Sequence, residues 1–145
     1  MSRVLADEAL YEFIGGRPPT RGELRERYRE LEGNSLRETG AALLNWIVRS
    51  RAEATAMGSI QATLSTDADG RASAELSWIV GTEFQRRGVA SEAAAAVVGH
   101  LRSHGVERFT AHIVSCHRAS EGVARRLGLR PTDRRDEGEV LWCND

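Results

Sequence analysis

The chain has 145 residues, 41% hydrophobic and 28% charged, with a formal net charge of −1. That length buries a core without disulfides or a structural metal, and a charge so near zero argues against nucleic acid, whose phosphates are held by clustered positive charge. No apolar run approaches bilayer length and the N-terminus lacks the order of a signal peptide, so the expectation is one cytoplasmic domain over residues 1–145 with no membrane partner.

Cys116 and Cys143 have no metal-ligand spacing, and no metal is expected. All 20 basic residues are arginine, which reads as compositional bias; only Arg86 and Arg87 fall where bidentate anion binding would matter.

Residues 5–13 predict a short helix closed by Gly15 and Gly16, after which Pro18 and Pro19 enforce an extended turn. Thr20 and Glu23 form a capping box, with Leu24, Tyr28 and Leu31 following at helical spacing. This second helix is expected over residues 21–32, stopped by Gly33 and Asn34. The period then changes. Residues 43–49 and 54–65 predict strands, and Asp67 to Gly70 supply a turn. Residues 71–80 alternate, with Ala72, Ala74, Leu76, Trp78 and Val80 on one face and Ser73, Glu75, Ser77 and Ile79 on the other. Beyond Val80 the pattern is helical, with Ala90, Ala94, Val97, Val98 and Leu101 in one stripe up to Gly105. A strand over 108–114, a helix over 118–127 with Ala119, Val123 and Leu127 inward, and a strand over 139–143 paired near Arg130 complete the order. The strand–helix–strand unit from 73 to 114 calls for a parallel pair with a right-handed crossover.

The segment Gln85–Arg86–Arg87–Gly88–Val89–Ala90 joins that strand to an alanine-rich helix. N–H groups at a helix start lack internal partners and carry the positive end of the dipole, so they form an anion site, and glycine admits close approach of a phosphate. Ser91 adds a hydroxyl. The GK[ST] of a Walker loop and the GxGxxG of a dinucleotide fingerprint are both absent.

Q/R-x-x-G-x-G/A in this position is the pyrophosphate-binding motif of the GNAT family of N-acetyltransferases, and Gln85, Gly88 and Ala90 match it. The run from Ala74 to Gly81 is similar to the family's fourth strand. Ala119–Ser120 followed by Arg126–Leu127–Gly128–Leu129 is similar to its last helix. The resemblance covers roughly residues 43–143 and leans toward the subgroup like ribosomal-protein N-terminal acetyltransferases. It implies a mixed α/β (α+β) fold, with a mostly antiparallel sheet, a splayed parallel pair and flanking helices. It also implies transfer of an acetyl group from acetyl-CoA to a primary amine, on a protein N-terminus or a small molecule.

Carried over, the resemblance lays the pantetheine arm along Trp78, Ile79 and Val80. It gives the pyrophosphate to the N–H groups of Arg87, Gly88, Val89, Ala90 and Ser91. The Arg86 and Arg87 side chains either reach phosphates or stay solvated. Direct attack needs a sink for the amine's proton and a donor for the departing thiolate. Glu75 is the carboxylate inside the fourth-strand segment, and is either the base or an exposed strand residue; Glu83 is a second candidate, in the loop. The tyrosine that many members use to protonate the thiolate is Ala124 here. Ser120 is the hydroxyl nominated in its place, its other role being a first-turn helix residue. The family's asparagine before Ala–Ser is His117, either a pantetheine or proton partner or a helix N-terminal residue. His112 alternates toward the cleft, and His100 and His104 fall on helix surface.

The family opens with a strand that this sequence leaves no room for, so the first strand is expected to be missing and the exposed edge to invite a homodimer. Two other classes compete with an enzyme. One is an acyl-CoA-binding sensor without catalysis, which the missing tyrosine favours. The other is a DNA-binding module on residues 125–135, which the acidic residues there oppose.

Overall fold

In a computed structural model, residues 1–33 and 40–144 are described, apart from the side chains of Phe13, Ile14 and Gly33. The expected first helix is three short turns instead: α1 (Ser2–Leu5), a 3-10 turn (Glu8–Leu10) and α2 (Tyr11–Ile14). Asp7 causes the break. Its backbone is extended (φ −77°, ψ 113°) and its Oδ1 accepts the Ala9 N–H at 3.0 Å, which restarts the helix from a cap. Its other oxygen accepts the hydroxyl of Thr82. The Thr82 bond first, and the Ala9 N–H second, hold the Asp7 carboxyl below its usual value.

The second helix, α3 (Arg21–Gly33), starts where the capping box places it. Thr20 Oγ1 accepts the Glu23 N–H at 3.2 Å, and Glu23 Oε2 accepts the Thr20 N–H at 2.7 Å. Arg17 grips the same carboxylate at 2.6 Å, and with the Thr20 bonds draws it down to about 2. Asn34, part of the expected stop, lies outside the described residues.

Strands β1 (Ala42–Arg49), β2 (Ala56–Thr66) and β3 (Ala72–Val80) form an antiparallel meander. β2 begins at Ala56 rather than Ala54, because Ala54 is left-handed (φ 53°) in a turn closed by its N–H on the Ser50 carbonyl at 2.9 Å. The β2–β3 turn is organised by Asp67, whose Oδ1 accepts the N–H groups of Asp69 and Arg71 at 3.0 and 2.8 Å. Then come α4 (Val89–Ser103), β4 (Arg108–Val114), α5 (Arg118–Arg126), β5 (Arg130–Asp136) and β6 (Glu139–Cys143). The sheet order is β1-β2-β3-β4-β6-β5, with β3 and β4 parallel and the other neighbours antiparallel. Among the described residues no strand precedes α1, and β1 is the outer strand.

The alternation read from residues 72–80 is the observed one: Ala74, Leu76 and Val80 are buried, while Glu75 and Ser77 are exposed. The buried face packs on Ala94, Val97, Val98 and Leu101 of α4 and on Val123, Ala124 and Leu127 of α5, joined by Phe109, Ala111 and Ile113 of β4. Ala119, expected inward, is exposed. The buried stripe of α5 starts a turn later, at Val123 and Ala124, and Ala119 lines a cavity instead.

One departure from regularity positions everything that follows. The β3–β4 ladder pairs Ser73 with Arg108, Ala74 with Phe109 and Glu75 with Thr110, then ends. From Thr110 to Val114 β4 pairs with β6. Past Glu75 the two parallel strands therefore part, leaving a V-shaped gap open toward their C-terminal ends. No helix among the described residues is long and apolar enough to cross a membrane.

Candidate active site

The V-shaped gap holds a cavity of about 530 Å³, within the range of small-ligand sites. Trp78 and Ile79 point to opposite faces of β3, yet both line it, so the cavity passes through the sheet. One end is the loop from Thr82 to Ser91. The wall on the α5 side is His117, Arg118, Ser120, Gly122, Val123 and Arg126, and Ala9, Leu10 and Glu12 of the N-terminal turns close the side opposite. A more open groove of about 480 Å³ lies between Met1 and the Arg21–Arg25–Arg29 face of α3, lined also by Ser2, Tyr28 and Glu32 and away from the phosphate turn.

The loop is shaped by two left-handed residues, Arg86 (φ 57°) and Gly88 (φ 79°, ψ −1°), the second capping α4. No heavy atom lies within 4 Å of where a Cβ on Gly88 would sit. Glycine is therefore required there by the backbone turn and by the open cradle in front of it, and not by crowding within the protein. The first helical bond of α4 runs from Glu92 N–H to Gly88 O at 2.9 Å, which leaves the N–H groups of Val89, Ala90 and Ser91 directed outward at the positive end of a long helix. Gln85 braces the turn: its Nε2 donates to the Val80 carbonyl at 3.0 Å, fastening the loop to the end of β3.

On the α4/α5 side, Trp78 Nε1 donates to Ser120 Oγ at 3.2 Å. Arg126 Nη1 donates to Ser91 Oγ at 3.1 Å, tying α5 to the start of α4 and setting a guanidinium beside the outward N–H groups. His117 follows Cys116, whose left-handed backbone (φ 70°) turns the chain from β4 into α5. Burial pushes the His117 imidazole below its usual value, with Glu121 opposing.

Of the residues singled out from the sequence, Trp78, Ile79, Val80, Gln85, Arg86, Gly88, Val89, Ala90, Ser91, His117 and Ser120 all line the cavity. Arg87 is exposed and does not line it, because the turn at Arg86 and Gly88 directs its side chain away. Glu75 does not line it either, since it belongs to the last pair of the ladder, before the strands part; Glu83 is also off the wall. Ala124 is fully enclosed in the core. The sequence reading missed Arg118, Gly122 and Arg126. Their i, i+4, i+8 spacing is one face of α5, and a small residue between two arginines was the available signal.

The cavity suits an acyl-CoA in three respects. Outward N–H groups with Arg86, Arg118 and Arg126 bring positive charge to the lining, β3 past Glu75 has no ladder to β4, and the cavity is lined from both faces of β3. These features together describe a site with the shape and charge for an acyl-CoA. The family description "Acetyltransferase (GNAT) domain" matches residues 1–130, and the chain belongs to that family.

Solved structures with the same fold include a GNAT-family acetyltransferase from Bacillus anthracis, with TM-score 0.76 and 17% identity over 99% of this chain and 85% of that one. A spermidine N-acetyltransferase from Vibrio cholerae, in complex with CoA and spermine, has TM-score 0.71 and 12% identity, covering 98% and 84%. An aminoglycoside acetyltransferase in complex with coenzyme A and kanamycin has TM-score 0.74 and 13% identity, covering 98% and 84%. No curated protein matches the chain.

Proposed function

We propose that this acetyltransferase moves the acetyl group of acetyl-CoA to a primary amine by direct attack. The observation that carries the reading is the cavity that crosses the sheet where β3 and β4 part, with an anion-binding turn at one end. Bound acetyl-CoA supplies the thioester. The chain's own groups bind and orient it: the N–H groups of Gly88 to Ser91 and the guanidinium groups of Arg86, Arg118 and Arg126 take the phosphates, and the β3 backbone from Trp78 to Val80 takes the arm. The amine nitrogen bonds to the carbonyl carbon, the C–S bond breaks with its electron pair going to sulfur, and the nitrogen's proton is the one that balances the thiol. Ser120 donates a hydrogen bond to the departing sulfur. Its oxygen already accepts the Trp78 N–H, which leaves its own proton for that use and strengthens it as a donor. His117, held toward its neutral form by burial, pairs with amide groups of the arm.

The acceptor is an amine small enough to enter between the N-terminal turns and β3, or the N-terminus of a peptide. The spermine and kanamycin of the structural neighbours support small cationic amines, and Glu12 on that wall suits an ammonium. β1 is an eight-residue outer strand without proline and charged only at Arg49, which supports pairing with a second copy; a monomeric mass in solution would dispose of that assembly. The deciding experiment for the enzyme is CoA release with acetyl-CoA and a broad panel of amines and peptides. Tight acetyl-CoA binding with no release on any acceptor would replace the enzyme with a binding module.

A further inference from the structure

The face of the sheet turned away from α4 and α5 carries a pair of titratable side chains that the cavity does not include. His112 Nδ1 of β4 lies 3.3 Å from Glu75 Oε1 of β3. Their register gives the pair its meaning. Glu75 stands opposite Thr110 in the last rung of the parallel ladder, and His112 is the next residue of β4 on that face, level with Ser77, where a rung would form had the strands stayed together. The residue after Ser77 is Trp78, the β3 lining residue nearest the vertex of the gap. The imidazole thus stands at the vertex on one side of the sheet, and the Trp78 indole with Ser120 stands on the other.

We propose that His112 accepts the amine's proton and that Glu75 is its positioning residue; the inference rests on the acetyltransferase reading. A carboxylate on Nδ1 fixes the proton there and leaves the Nε2 lone pair to accept. The same division of labour operates where an aspartate orients a catalytic imidazole. As the amine nitrogen bonds to the carbonyl carbon it becomes cationic and passes a proton to Nε2. The C–S electron pair leaves on sulfur, which takes a proton from water, and His112 returns its proton to solvent, to which its side chain is 34% exposed. The two sides of the sheet then serve the two halves of the exchange, nucleophile on one and leaving group on the other.

Other charged or titratable groups share this face. Arg108 is on the same strand, Glu139 and Cys143 flank Leu141, the rung partner of His112 on β6, and Arg130 and Asp136 lie beyond on β5. Glu75 is the carboxylate in contact with the imidazole.

The test uses the full chain with the best amine from the panel, following kcat/KM against pH, acetyl-CoA affinity by calorimetry and the imidazole signals of the 4 histidines by NMR. His112→Gln should lower kcat about 100-fold, as loss of general-base catalysis does, and should abolish the acid limb of the profile with acetyl-CoA affinity unchanged. Glu75→Gln keeps an acceptor for Nδ1–H and removes the charge, so it should keep the acid limb and acetyl-CoA affinity and lose less rate than His112→Gln. An unchanged limb and rate in His112→Gln would overturn the inference and leave the enzyme standing, as would loss of the limb in Glu75→Gln alone. Loss of acetyl-CoA affinity or of the fold in His112→Gln would assign that residue a structural role and also overturn it. A wild-type chain silent on every amine removes the function, and this inference with it.

Discussion

Gly88 allows the cofactor site to be tested apart from catalysis. In Gly88→Ala the new Cβ meets no heavy atom within 4 Å, so the fold suffers no clash. The cost is the left-handed backbone at φ 79°, about 1–2 kcal/mol for a residue with a Cβ, or roughly 3–7 °C in thermal midpoint for a domain of this size. The same empty space is where a phosphate must approach the N–H groups of α4. The methyl should therefore weaken acetyl-CoA binding at least tenfold, about 1.4 kcal/mol, and Gly88→Asp, which adds a negative charge, should abolish it. Calorimetry with acetyl-CoA, beside thermal unfolding of the unliganded chain, separates the two effects. Wild-type affinity in Gly88→Asp, in a protein that unfolds normally, would refute the placement of the phosphates at this turn.

Gly58→Ala tests a different cause, because its Cβ would lie 2.2 Å from the Ile79 carbonyl oxygen. β2 must move from β3 beside the cavity wall, with an expected loss of about 1–3 kcal/mol in chemical denaturation; a neutral result would contradict the strand spacing. Trp78→Phe keeps an aromatic ring, though a smaller one, and removes the N–H to Ser120, so it and Ser120→Ala should each lower kcat about tenfold, with the double variant no worse than Ser120→Ala. Additive losses in the kinetics would show that the two act separately. His117 is held below its ordinary value of 6.5 by burial, so the unfolded chain takes up its proton more readily than the folded one. The stability tied to its neutral form is present above pH 6.5 and lost as pH falls through the folded value. His117→Asn should flatten the thermal midpoint against pH in that window, and an unaltered slope would show that the imidazole is not desolvated.

Much of this was legible in the sequence because local chemistry and global structure agree there. The capping box at Thr20, the Asp67 turn and the alternation from Ala72 to Val80 are each determined within a few residues, and each is found as read. The turn from Gln85 to Ala90 was legible for the same reason, since its glycine, its helix and its preceding strand are contiguous. The break at Asp7 inside the helix expected over residues 5–13 was not legible, because Asp7 is anchored by Thr82, far along the chain, as well as by the nearby Ala9 N–H. The offset of Glu75 from the cavity was invisible because it turns on where the β3–β4 ladder ends, a property of two strands separated by a helix. Arg126 was missed because its partner Ser91 belongs to another helix.

The bond between Asp7 and Thr82 carries a consequence beyond local stability. Thr82 opens the loop that leads to the phosphate turn, and Asp7 starts the helical turns that bear Ala9, Leu10 and Glu12. A ligand that stiffens one end must stiffen the other, and by reciprocity a molecule seated against Glu12 must tighten the grip on the nucleotide to the same degree. Each substrate should therefore raise the chain's affinity for the other by the same factor, and the amides of residues 7–12 should slow their hydrogen exchange once the nucleotide is bound.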